Sequence, residues 1–124
     1  MTELHFNRRD AEILYSIPKF PCDLLTIVKW FMFINRTAAP SRTELQDCLV
    51  KAISAGIVYN IDGRLAIHDK WYQDIHAAEI SADNEIDAML EFTDWFIEKR
   101  FHTVCETAFA LDTSDYETML NSIS

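Results

Sequence analysis

The chain has 124 residues, 49% of them hydrophobic, which suits one folded domain with a sizeable core and an appended helical segment. Its formal charge of −9 is unevenly spread: residues 1–70 hold nine Lys/Arg and eight Asp/Glu, whereas residues 71–124 hold two and twelve. The acidic part repels phosphate backbones, so any contact with nucleic acid is confined to the first part, and no apolar run approaches the ~18 residues of a membrane helix.

The first helix is expected over residues 7–17, with Asn7 as N-cap, Asp10 in the first turn and Ile13, Leu14 and Ile17 as its stripe. "IPKFP" stops it, because Pro18 and Pro21 disfavour continuation. A second helix runs from a cap at Asp23 to Asn35. Leu24, Leu25, Val28, Phe31, Met32 and Ile34 make it apolar on most sides, with Lys29 its only charge, so burial on more than one face is expected. "NRTAAP" ends it.

The third helix, 41–55, opens with a capping box, Ser41 and Glu44 of "SRTE". Leu45, Cys48, Leu49, Ala52 and Ile53 form a single stripe, and Gly56 supplies the left-handed stop. Ile57–Ile61 and Arg64–Ile67 alternate as strands around Asp62-Gly63, a two-residue turn of type I′. Such a hairpin is marginal alone and requires helices to lean on. Asp69 is expected to cap a helix over 70–80, with Trp71, Tyr72 and Ile75 inward. Ser81 or Asp83 starts a long helix reaching Phe101, with Ile86, Met89, Leu90, Thr93, Phe96 and Ile97 as its stripe. After a loose stretch, a second capping box at Ser114 and Glu117 opens a short final helix bearing Tyr116, Met119, Leu120 and Ile123.

Three helices, a glycine stop and a two-stranded hairpin follow the order of the winged helix-turn-helix. Residues 41–75, "SRTELQDCLVKAISAGIVYNIDGRLAIHDKWYQDI", resemble that superfamily in their capped helix, "AGIV", "DGR" wing tip and following helix. The resemblance covers residues 7–80. It implies a mainly α fold with a small β-hairpin: a winged-helix domain at 1–80 and an acidic helical extension at 81–124 that packs on the core or dimerises. It also implies a non-enzymatic regulator contacting DNA through helix 41–55 and the wing 57–67. The alternative is a protein-interaction module that keeps the fold without binding DNA. The long apolar second helix and the acidic tail depart from DNA-binding members.

If helix 41–55 is the recognition helix, its outward positions are Arg42, Thr43, Gln46, Asp47, Val50, Lys51 and Ser54. Arg36, Arg42, Thr43, Gln46, Lys51 and Arg64 are the DNA-contact candidates, with Lys29 in support. Asp47 and Glu44 oppose that reading, since each repels phosphate. His76 with Glu79, and His102 with Cys105, offer two metal ligands each, short of a site, so no metal or cofactor is expected. Both glycines have structural uses, leaving no phosphate loop and no nucleophile elbow. The acidic row from Asp83 to Glu98 reads as a solvated helix face, and no catalytic residues are assigned. Cys22, Cys48 and Cys105, odd in number and widely spaced, fit reduced thiols and a cytoplasmic protein. The N-terminus lacks the apolar core of a secretion signal. The aromatic surplus on the long helix suggests a homodimer through Phe92, Trp95, Phe96, Met119 and Leu120.

Overall fold

The computed structural model describes residues 3–76, 85–105, 107 and 109–123. In chain order these form β1 (Glu3–Leu4), α1 (Arg8–Tyr15), α2 (Leu24–Asn35), α3 (Arg42–Ser54), β2 (Val58–Ile61), β3 (Arg64–Ile67), α4 (Asp69–His76), α5 (Glu85–Ile97), β4 (Phe101–His102) and α6 (Thr113–Ile123). The fold is mainly helical with a small antiparallel hairpin, and no helix among the described residues is long and apolar enough to cross a membrane.

Local chemistry sets most boundaries. Asn7 caps α1 in a reciprocal box: its Oδ1 accepts from the Asp10 amide at 2.8 Å, and Asp10 Oδ2 accepts from the Asn7 amide at 3.0 Å. The helix closes on Ser16, whose amide reaches Ile13 and Leu14 carbonyls, just before Pro18. Asp23 caps α2 by accepting from the Thr26 amide at 2.9 Å. Ser41 and Glu44 form the expected box on α3. The end of α3 is a Schellman closure: the Gly56 amide bonds Ile53 O at 3.1 Å and the Ile57 amide bonds Ala52 O at 2.9 Å, with Gly56 at φ +78°. In the hairpin Asp62 and Gly63 both have positive φ, 52° and 86°, between the paired residues Ile61 and Arg64. That is the type I′ signature.

Three boundaries and one burial pattern differ from the sequence expectation. Asp69 is the first helical residue of α4 rather than its cap; the His68 carbonyl accepts from the Trp71 and Tyr72 amides. The final helix is capped by Asp112, whose Oδ1 accepts from the Asp115 amide at 2.9 Å, rather than by Ser114. The long helix stops at Ile97 instead of Phe101, because residues 101–102 go extended to pair antiparallel with residues 3–4. Two-residue strands carry no periodic signal, so neither was visible in the sequence. Finally, α2 is buried on one face only: Ile27, Val28 and Phe31 are inside, while Trp30 and Phe33 are 50% and 67% exposed. The expected starts at Ser81 or Asp83, the end at Ile80, and the side chains of Ile75, Ile86 and Met89 lie outside the described residues.

A single buried cluster unites the elements. Ile13 and Leu14 of α1, Phe31 of α2, Leu45 and Leu49 of α3 and Leu65 and Ile67 of β3 meet Phe92 and Phe96 of α5, Phe101 of β4 and Tyr116 of α6. Residues 85–123 thus share their core with the first part, with α5 lying against α1. Phe6 stands 5.0 Å from Phe96 and 5.2 Å from Phe101 between ring centroids, and Phe92 stands 5.0 Å from Phe96. Offset and edge contacts of this kind add ~0.5–1.5 kcal/mol per pair beyond area burial.

Candidate functional site

The proposed recognition face of α3 is largely occupied by the chain itself. Arg42, Gln46, Val50 and Ser54 form one i, i+4, i+8, i+12 stripe, and residues 104–105 and 109–116 hold to it as a strap. The Val104 and Cys105 amides bond the Ser54 carbonyl at 2.7 and 3.2 Å. Gln46 Oε1 accepts from the Leu111 amide at 2.8 Å, while Arg42 Nη1 donates to the Leu111 carbonyl at 3.1 Å and to Gln46 at 3.2 Å. At the other end the Tyr116 hydroxyl donates to the Pro40 carbonyl at 2.6 Å. This strap satisfies the polar groups that would otherwise face a ligand, and it leaves Ser54 buried.

Lys51 is turned the opposite way. Its ammonium pairs with buried Asp10, donates to the His5 carbonyl at 3.0 Å and lies 5.2 Å from the Phe6 ring centroid. Removing one partner of such a pair leaves a buried charge uncompensated. Cys48 donates to the Asp10 carbonyl from below, and burial, then the Asp10 charge, pushes its thiol well up. Of the six DNA-contact candidates, Arg36, Thr43 and Arg64 are exposed, whereas Arg42, Gln46 and Lys51 are bonded within the chain. The outward assignment is corrected for Ser54, which is buried, and for Arg42, Gln46 and Lys51, whose polar groups are bonded within the chain. Glu44, exposed beside Thr43, is held below the usual carboxylate range, first by the Ser41 amide and also by the nearby Arg9 guanidinium.

The dimer candidates also separate. Phe92 and Phe96 are buried in the protomer core, and Met119 and Leu120 are partly buried against it. Trp95 alone is exposed, at 39%, with the Lys99 ammonium 4.2 Å from its ring centroid. The rings that the sequence offered as a self-association surface are thus mainly the contact between α5 and the rest of the chain.

The exposed apolar surface lies on α2 instead. Thr26, Lys29, Trp30 and Phe33 fall at i, i+3, i+4 and i+7 and line an open groove of about 460 Å³. The Trp30 and Phe33 rings meet edge to face at 6.0 Å. Trp30 is a ridge: its other side, with Tyr15, Pro18, Ile34 and Tyr72, lines a second hollow of about 210 Å³. The polar edge is set by Asp23, whose carboxyl is lowered first by hydrogen bonds from Thr26 and then by the charges of Arg64 and Lys29. Sequence reasoning missed Trp30 and Phe33, although a signal existed: Thr26 and Lys29, two polar residues of an apolar helix, share their face and mark it as the one meeting water.

Cys105 donates to the Ile53 carbonyl at 3.0 Å; Glu79 and the His76 side chain lie outside the described residues. Among the described residues no three His, Cys, Asp or Glu side chains converge. Comparison with protein-family models, curated proteins and solved structures finds no match to this chain.

Proposed function

We propose that the chain is a non-enzymatic winged-helix module that acts by binding protein, and that its partner is a second copy joined through the outer face of α2. The observation that carries this is the pairing of Trp30 and Phe33, 50% and 67% exposed, beside a groove that no other part of the chain fills among the described residues. Exposed apolar clusters with a polar rim mark interaction surfaces, and a central Trp is the commonest anchor of such contacts. Supporting this reading over DNA binding, Arg42, Gln46 and Lys51 already have partners within the chain.

A second copy fits the charges. An isologous contact places residue i against j and j against i. A two-fold axis near Thr26 sets Lys29 of one protomer opposite Asp23 of the other, twice. Light scattering on the intact protein at high micromolar concentration is expected to give a dimer. Trp30→Ala with Phe33→Ser should give a monomer of unchanged helicity, and Lys29→Glu should weaken the dimer. A monomeric intact protein overturns the proposal.

A further inference from the structure

The acidic part of the chain has only two Lys/Arg, Lys99 and Arg100, and the fold brings both to one hollow of about 590 Å³ beside the end of α3 and the start of α4. Lys70, His68 and His102 complete a basic wall, while Gly56, Trp71, Phe101 and Val104 provide an apolar one. Among the described residues no carboxylate lines this hollow. Arg100 is committed to Glu3 at 2.8 Å. Lys70 and Lys99 make no ion pair among the described residues. Their ammonium groups instead sit 5.7 and 5.9 Å from the Trp71 ring centroid, and that of Lys99 also sits 4.2 Å from the Trp95 ring centroid.

Acidic residues outnumber basic ones by 20 to 11 in this chain. Carboxylates are therefore plentiful, yet among the described residues two lysines line one hollow without one. Gathering like charges in a concave, partly apolar site raises their energy unless an anion joins them. Lysine is a compact point charge suited to phosphate oxygens. The indole of Trp71, with the edge of Phe101 at 5.2 Å, offers a flat apolar wall within reach of the same ammonium groups. The volume falls in the range of about 300–1,000 Å³ typical of small-molecule sites. We infer that this hollow binds a nucleoside phosphate, with the phosphates on Lys70 and Lys99 and the base against Trp71. This site is separate from the α2 face, and its test does not depend on the oligomeric state.

The test is a ¹H–¹⁵N titration of the intact protein with ADP, and with pyrophosphate and adenosine as its two halves. ADP is expected to shift the amides of Gly56, His68, Trp71 and residues 100–104, and each half should bind about tenfold or more weakly, a loss of ~1.4 kcal/mol or more. Lys70→Gln with Lys99→Gln should weaken ADP by at least about tenfold. Arg8→Gln with Lys19→Gln, the same charge change elsewhere, should leave ADP affinity in place. Displacement of ADP by oligothymidylate would identify a single strand as the source of the phosphates, and failure to displace it would identify the free nucleotide. Absence of shifts at millimolar ADP, or equal weakening by both double variants, overturns the inference. Circular dichroism of the Gln variants confirms that folding is unchanged, since Lys70 is exposed and Lys99 only partly buried.

Discussion

Tyr116 joins the last helix to the loop before α3 through a single hydroxyl. The ring is 4% exposed, and burial, followed by the charge of Glu44, pushes its pKa up to about 12 from the model-compound 10.0. The folded state therefore favours the protonated phenol. Its contribution is complete below pH 10, declines as pH rises, and is gone above about pH 12. Deprotonation removes the donor to Pro40 O and places a charge in an apolar site. Urea midpoints measured across that window should fall steeply for the native chain. Tyr116→Phe is expected to cost ~1 kcal/mol at neutral pH for the lost hydrogen bond, and to flatten the alkaline fall. An equally steep fall in the variant would assign the alkaline loss to another group.

At the scale of elements, Gly56 is where α3, the hairpin and the 104–116 strap meet. Its left-handed φ of +78° closes the helix, and a Cβ there would lie 3.0 Å from Val104 Cγ2. Gly56→Ala is expected to destabilise by ~1–2 kcal/mol through strain at positive φ and this contact. Val104→Ala in the same background should return the steric part, which a double-mutant cycle in denaturant measures. Elements specified by near neighbours were legible in the sequence. Asn7, Asp23, Ser41 with Glu44, Gly56 and Asp62-Gly63 all act through partners within five residues. What depended on distant residues was hidden. The strap over α3 joins Gln46 to Leu111, and the pairing of residues 3–4 with 101–102 has no sequence period. The exposed face of α2 went unread because its apolar residues surround the helix. The basic hollow was invisible because Lys70, Lys99 and Arg100 come from separate stretches.

Across the whole molecule, the acidic part contributes core on one side and solvated charge on the other. Glu91 and Asp94 of α5, and Glu98 just beyond it, are exposed, while Phe92 and Phe96 of the helix are buried. Removing residues 85–123 would take Phe92, Phe96, Phe101 and Tyr116 from the cluster, each large buried ring being worth ~3–5 kcal/mol on truncation. Four such losses come to about 12–20 kcal/mol, against a reserve of ~5–15 kcal/mol for a typical domain, so the remainder should lose cooperative melting and bind ANS. A cooperative melt by residues 1–84 would mean that the first part holds a sufficient core alone.

The pairing of residues 3–4 with residues 101–102 also orders events during synthesis. Leu4 and Phe6 are made well before their partners, because Phe96 and Phe101 follow far downstream in the chain. At ~5–20 residues per second, the 97 positions between Glu3 and Arg100 take roughly 5–20 s. During that interval Leu4 and Phe6 lack the aromatic partners that bury them in the finished fold. The docking of residues 3–6 is therefore a late step relative to their own synthesis, set by the arrival of residues 96–102.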